Sequence, residues 1–354
     1  MRKLRVAVVM GGRSSEHEIS VTSARSVIAA LDPARYDVRS IEISRDGRWQ
    51  LPRPVRGQLA GAAAADPTAA ASTDGDSDAG LPIPTGGRAP DPLGEVDVVF
   101  PVLHGPFGED GTVQGLLELA GVAYVGSGVT ASALCMDKDL FKSVMRDKGI
   151  PIAKSATVRR WDRDRVESPF GFPVVVKPAR LGSSVGISIV RAPEDLADAV
   201  ALAFEHDEKI LLEEFLEGVE VECSVLGNES PIASLPGEIV PLSSDWYDYS
   251  AKYDEGGMEL VVPARVSEEA LARVQELAVS SFVAADCEGM ARVDFFVRPD
   301  GEVIVNELNT IPGFTSTSVY AKLFEASGIP YPELLDRLVQ LAVERHDRRA
   351  SLRY

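Results

Sequence analysis

Three oxygen-bearing side chains in an otherwise apolar stretch define the chemistry open to this chain. They are Asp294, Glu307 and Asn309, within Ala291 to Ser318, ARVDFFVRPDGEVIVNELNTIPGFTSTS. Two strands rich in β-branched and aromatic residues flank Pro299-Asp300-Gly301, a strong turn signal. Buried carboxylates are costly unless paired or metal-bound. Side chains two apart on a strand share a face, so Glu307 and Asn309 point the same way. If Val297 pairs with Glu302, Arg292 lies opposite Glu307 and Asp294 is the diagonal neighbour of Glu307; a bulge at Gly301 would shift that register. Oxygen ligands with no His or Cys among them suit Mg²⁺ rather than zinc, with phosphate oxygens completing the shell. The alternative is a pair of partly exposed acids beside a satisfied Asn.

Other stretches offer matching chemistry. Phe172 to Val190 contains PVVVKPARLGSSVGISIV, a hairpin with a glycine- and serine-rich tip. Gly182 and Gly186 permit close backbone approach, Ser183 and Ser184 add donors, and Lys177 stands just before the loop. That combination suits a phosphate cover, although no Walker sequence is present. The linker EEFLEGVE presents backbone groups to an adenine edge and Glu220 to ribose hydroxyls; a charged strand-end turn is the plainer reading. Glu16 and Glu18 follow the first strand in GGRSSEHEIS, and His104 ends another in HGPFGEDG; open α/β sheets bind ligands at such ends, while solvated loop acids and a loop hydrogen-bonding His are the plainer readings. Asp245 to Gly257, DWYDYSAKYDEGG, has the composition of a closing lid, or of an interface patch.

The elements that position these residues can be read in order. Leu4 to Met10 is a strand. A helix follows to Leu31 with Ser20 as its cap, then a strand from Tyr36 to Ile43. Val96 to Leu103 is a buried strand, Thr112 caps a helix to Ala120, and Val122 to Val125 is a short strand. This alternation predicts a parallel α/β unit. Asp137 caps a helix carrying Lys138 and Lys142. After the glycine-rich hairpin come a helix from Pro193 to Phe204 and strands Lys209 to Glu213 and Val219 to Leu226. Ser267 caps a long helix to Cys287, and helices follow Pro312-Gly313 to His346, leaving DRRASLRY as a frayed tail. Residues 57–94, rich in Ala, Gly, Pro, Asp, Ser and Thr, read as a mobile insertion.

Composition narrows the function classes. The net charge of −18 argues against a nucleic-acid partner but not against a nucleotide. Cys135, Cys223 and Cys287 fit neither a disulfide framework nor a zinc spacing. No apolar run is long enough to cross a membrane. MRKLRVAVVMGG reads as a first strand rather than a signal peptide, so the cytoplasm is the default location.

In this order the motifs GGRSSEHEIS, LHGPFGEDGTVQG, KPARLGSSVG, YDYSAKY, ARVDFF and NELNTIPGFTSTS resemble the ATP-grasp superfamily and, within it, the D-alanine–D-alanine ligases. The likeness spans the chain apart from the insertion. It implies an α/β fold, α+β in the ATP-grasp part, with three domains: 1–136 with the 57–94 insertion, 137–226 with the glycine-rich loop, and 227–354 with lid and metal site. It implies that Lys138, Lys177 and Ser184 hold ATP phosphates, and Lys252 the terminal one. Glu213, Phe215, Leu216 and Phe296 line the nucleotide site, with Glu220 on the ribose. Asp294, Glu307 and Asn309 carry two Mg²⁺, which Mn²⁺ can replace. Glu16 grips the first D-alanine's ammonium and His104 lies near its carboxylate. Arg292 and the Gly313 amide stabilise negative oxygens, and Ser318 and Val319 hold the second carboxylate. Tyr253, Ser183 and Glu16 resemble a triad that latches the lid.

The implied reaction joins two D-alanines through an acyl phosphate at the expense of ATP, in a homodimeric enzyme of peptidoglycan synthesis. D-Lactate or D-serine as second substrate is the alternative; Lys252-Tyr253 favours D-alanine. A nucleotide-binding regulator with a dead site is a third reading.

Overall fold

A computed structural model describes residues 2–50, 95–183, 185–242 and 257–353. The insertion, Ser184, Lys252, Tyr253 and nearly all of the expected lid fall outside those residues. The first sheet comprises Leu4–Gly11 (β1), Tyr36–Ile43 (β2), Trp49–Gln50 (β3), Val98–Pro101 (β4) and Ala123–Tyr124 (β5), in the order β3-β2-β1-β4-β5. Only β3 runs antiparallel to its neighbour. Strands β1 and β4 are apolar on both faces because both faces are covered. Val6 and Val8 meet His17–Ala30 (α1), while Ala7 and Val9 meet Thr112–Leu119 (α2).

Val129–Met136 (α3) and Lys138–Asp147 (α4) lead to a second, antiparallel sheet of Ser155–Arg159 (β6), Val174–Pro178 (β7), Ser188–Val190 (β8) and Lys209–Glu214 (β9). Leu196–His206 (α5) covers one of its faces. The third sheet contains Val219–Gly227 (β10), Ile232–Ala233 (β11), Gly237–Pro241 (β12), Met258–Val261 (β13), Gly289–Val297 (β14) and Val303–Asn309 (β15). Strand β10 pairs along its whole length with β14, so the expected break at 226 cuts off a strand of this third sheet. The sheet change lies instead between β9 and β10.

Glu268–Ala284 (α6) seals one face of the third sheet, packing Val274, Leu277 and Phe282 on Val293, Phe295 and Val305. Each such buried side chain contributes about 1.5–3 kcal/mol. The other face of this sheet borders a cleft.

Local signals located some helix starts. Asp137 accepts from Leu140 N at 3.2 Å and Ser267 from Ala270 N at 3.2 Å, both as expected. Two expected caps are displaced. Helix α1 begins at His17 after Glu16, and Ser20 lies inside it; its Oγ accepts from Gly11 N at 2.8 Å and donates to Val102 O. Helix α2 starts after left-handed Gly111, and Asp110 rather than Thr112 takes the free amide of Thr112.

Val319–Ala326 (α7) and Tyr331–Ala350 (α8) return the chain to the first sheet. Phe314 packs edge-on against Phe100 at 5.5 Å between ring centroids. The expected tail is anchored at its start: Arg349 reaches Glu118 at 2.6 Å and Glu288 at 3.0 Å, and Arg348 pairs with Glu288 as well. This return sets Ile311 to Gly313 beside the end of β4.

Candidate active site

The β14–β15 hairpin does not have the simple register that its sequence suggests. Val297 faces Val303, not Glu302, because Pro299-Asp300-Gly301 closes a three-residue turn with Gly301 at φ +87°. That register alone would pair Asp294 with Asn306 and turn Glu307 into the core. An irregularity between Asp294 and Phe295 lets Asn306 bulge out. Beyond it Asp294 stands directly opposite Glu307, and Arg292 opposite Asn309 rather than Glu307. A one-residue slip reverses every side chain, and one bulge reverses it back. The three oxygen-bearing residues therefore share the cleft face.

Arg292 donates from Nε and a terminal nitrogen to the two oxygens of Asp294, both at 2.7 Å, and its Nε lies 2.9 Å from Glu222. Asn309 Nδ2 donates to Asp294 at 3.1 Å, and Glu307 lies 3.6 Å from Lys138 Nζ. Two carboxylates and an amide oxygen, with no imidazole or thiol, fit a hard divalent cation. Glu307 is the more accessible acid, with its side chain 22% exposed.

A cavity of about 350 Å³ opens between the second and third sheets. Val175 and Ile189 form one wall; Phe296, with Leu216 and Ile304 beside it, forms the other. Phe215 and Glu220 also line it, so these sequence-identified residues converge. Lys177 donates to Glu213 at 2.8 Å, and buried Lys142 holds the other oxygen of Glu213 at 2.8 Å. Burial pushes the Lys142 pKa down; burial would raise that of Glu213, but the two lysines outweigh it and hold the carboxyl low. The carboxylate of Glu213 thus serves to seat Lys177. Glu214 turns to Lys154 instead. Lys138 Nζ donates to Leu181 O at 2.7 Å, tying the base of the glycine-rich loop to the helix start.

A second cavity, about 450 Å³, lies at the carboxyl ends of β1 and β4 and meets the first at Gly182, Ser183 and Glu307. Gly11 turns the chain out of β1 with φ +87°; a Cβ there would sit 2.3 Å from Ile43 O. That turn delivers Glu16, whose Oε1 accepts from Ser183 Oγ at 2.5 Å. Ser183 holds a left-handed φ of +53°, a strained conformation for a non-glycine residue, at this contact. Glu109, which sequence reading left without a role, faces the same space; burial and neighbouring Glu16 push its pKa up to about 8.

His104 Nδ1 lies 3.1 Å from Ile311 O, which can only accept, so Nδ1 carries the proton. Burial, the largest influence, pushes the pKa of His104 below the usual 6.5. Its buried Nε2, with no hydrogen-bond partner among the described residues, is then an acceptor facing the cavity. A neutral ring so oriented meets an N–H group better than a carboxylate. Below pH 6.5 the unfolded chain binds a proton that the folded chain refuses, so this residue lowers stability as pH falls. Replacing His104 by Gln is expected to flatten that dependence, by at most about 1.4 kcal/mol per pH unit for one proton. Urea unfolding of both proteins at pH 7.5 and 5.5 checks this; parallel losses would refute it.

At the far end of this cavity, Ser318 precedes α7, and Thr315 N donates to its Oγ at 3.0 Å. The free amides of the first turn, beginning at Val319, suit a carboxylate. Gly313 also lines the cavity; a Cβ on it would approach Ser318 Oγ at 3.2 Å.

Comparison with known proteins places the chain in one family. Family profiles described as "D-ala D-ala ligase N-terminus" and "D-ala D-ala ligase C-terminus" match residues 5–127 and 144–340. The chain is 45% identical to the D-alanine–D-alanine ligase A of Escherichia coli K12, covering 98% of this chain and 97% of that one. It is 48% identical to the D-alanine–D-alanine ligase of Streptomyces coelicolor, covering 96% and 93%. Among solved structures, the D-alanine-D-alanine ligase from Coxiella burnetii superposes with a TM-score of 0.80 at 37% identity, covering 99% and 97%. The VanG D-Ala:D-Ser ligase from Enterococcus faecalis superposes at 0.79 with 36% identity, covering 96% and 100%.

Proposed function

From the premise that this chain belongs to the D-alanine–D-alanine ligase family, we propose that it joins two D-alanines into D-alanyl-D-alanine for peptidoglycan precursors, releasing ADP and phosphate. The observation that carries this reading is the pair of cavities meeting at Ser183 and Glu307. One has apolar walls at Val175, Ile189 and Phe296 and buried Lys138 and Lys177 in its lining, as a nucleotide requires. The other ends in Glu16 and His104 on one side and a helix start on the other, as two amino acids require.

The family uses ATP and a divalent metal; we assign Mg²⁺, as two ions that Mn²⁺ can replace, to Asp294, Glu307 and Asn309. When bound, such ions neutralise charge on the transferring phosphoryl group. The chain's own residues do the rest. Phe296 and Leu216 pack the base, the linker backbone reads its edge, and Glu220 takes the ribose. Lys138 and Lys177 hold phosphate oxygens beneath the loop of Ser183 and Ser184, with Lys252 supplied by the lid. Glu16 and the neutral Nε2 of His104 receive the first ammonium, which leaves that substrate's carboxylate toward the seam. Its phosphorylation gives an acyl phosphate with a good leaving group. Ser318 and the Val319 amide hold the second carboxylate. Arg292 and the Gly313 amide stabilise the oxyanion formed when the second amine attacks. Tyr253, through Ser183, is the relay we assign to that amine's proton.

We further infer a dimer in the cytoplasm, divided near 136 and again near the start of β10. Among the described residues no helix is long and apolar enough to cross a membrane.

The test is ADP release with D-alanine, L-alanine, D-lactate, D-serine or no amino acid. Release is expected to require D-alanine and Mg²⁺, with no gain from L-alanine. Equal release without D-alanine would sink the assignment. Faster turnover when D-serine is the second substrate would move it to the activity named for the Enterococcus relative.

A further inference from the structure

Glu222, Asp294 and Glu307 form one row across three adjacent strands. Glu222 on β10 is the direct partner of Asp294 on β14, which is the direct partner of Glu307 on β15. All three line the nucleotide cavity. Like charges directly opposite one another destabilise a sheet, so two neighbouring acids need a cation between them. Arg292 is that cation: its Nε lies 2.7 Å from Asp294 and 2.9 Å from Glu222. The Glu222 side chain is only 4% exposed, and the Arg292 side chain 16%. Burial makes the charge balance matter, because neither group can be screened well by water.

The two carboxylates on Arg292 are not equivalent. Asp294 belongs to the oxygen set that fits a divalent cation and stands directly opposite Glu307, while Glu222 lies one strand further away with Asp294 between them. A cation at Asp294 repels the guanidinium that now grips both oxygens of that side chain. Glu222 is then the carboxylate on which the guanidinium can stay seated.

Building on the ligase reading, we propose that Glu222 is a positioning residue for catalysis: it retains Arg292 at the cleft floor while Asp294 serves the metal, which frees the terminal nitrogens of Arg292 to meet the oxyanion. Without Glu222, Arg292 has Asp294 as its one anionic partner among these two. It then competes with the metal in the resting enzyme and drifts once the metal is bound.

The experiment compares the full-length protein with Glu222→Gln, which keeps shape and removes charge. Three quantities are read: kcat, KM for ATP, and the Mg²⁺ concentration that half-saturates binding of a fluorescent ADP analogue with no D-alanine present. The expected result is a kcat lower by about tenfold or more, KM for ATP within about threefold, and a Mg²⁺ requirement raised several-fold. A residue that merely stabilised the sheet would lower the melting temperature and leave the Mg²⁺ requirement alone; that result, or unchanged kcat, overturns the proposal. Should Glu222→Gln not fold, Glu222→Asp decides. It keeps the charge but retracts it by one methylene, and unchanged kcat and Mg²⁺ dependence there would equally overturn it. Because nucleotide binding is read without amino acid, a wild-type protein inactive on D-alanine would defeat the ligase reading while leaving the Arg292 coupling measurable.

Discussion

Glu307→Gln is expected to reduce D-alanine-dependent ADP release by about 10³-fold or more, with the melting temperature nearly unchanged. The substitution keeps the shape and one acceptor oxygen but removes the negative charge that a divalent cation and the phosphates around it require. Stability is spared because the side chain lies at the cleft face, 22% exposed, with Lys138 Nζ 3.6 Å away, outside hydrogen-bond range. Its backbone stays in the same ladder with Asp294. Steady-state kinetics over a Mg²⁺ series checks this. Activity near that of the wild type at saturating Mg²⁺ would remove Glu307 from the metal set.

Replacing Arg292 separates charge from geometry. Arg292→Lys retains the charge but loses the planar fork that reaches both oxygens of Asp294 and the Glu222 carboxylate together. Its kcat is expected to fall about 10²–10³-fold, the range seen when one oxyanion donor is removed, with KM for ATP little altered. Arg292→Met should add a loss of stability. It leaves Glu222 and Asp294 opposite each other with no cation between them, and breaking a buried ion pair in this way costs about 3–5 kcal/mol. Chemical denaturation of both variants beside their kinetics separates the effects. If Lys and Met variants had equal stability, the compensating role of the guanidinium would be wrong.

The two cavities show how far local patterns reached. Phe296 and Glu220 are cross-strand partners that line one cavity, because strand alternation dictates which side chains share a face, and Leu216 joins them from the linker before β10. Glu213 lines the same cavity, and its carboxylate also seats Lys177 with the help of Lys142, which looked like an ordinary helix residue. The signal was present as a lysine on the buried face of α4, yet nothing local says which acid it will meet. Glu222 was likewise hidden, since its neighbour Asp294 is remote along the chain and becomes its partner only when β10 pairs with β14.

Read alone, the residues established a soluble-type composition, the alternation of strands and helices in the first unit, and the caps at Asp137 and Ser267. They also established the types of atom available to a metal and a nucleotide. These properties depend on neighbours within a few positions: a cap needs an amide three residues on, and a face needs a period of two. The bulge at Asn306 could not be read this way, because it is a compromise between a turn that prefers one register and a core that accepts Leu308 and rejects Glu307. Nor could the burial of Ser20 against Val102, or the pairing of the C-terminal arginines with Glu118 and Glu288. Each of those contacts joins segments tens to hundreds of residues apart, and which polar group finds which partner is settled only when the sheets and helices have packed.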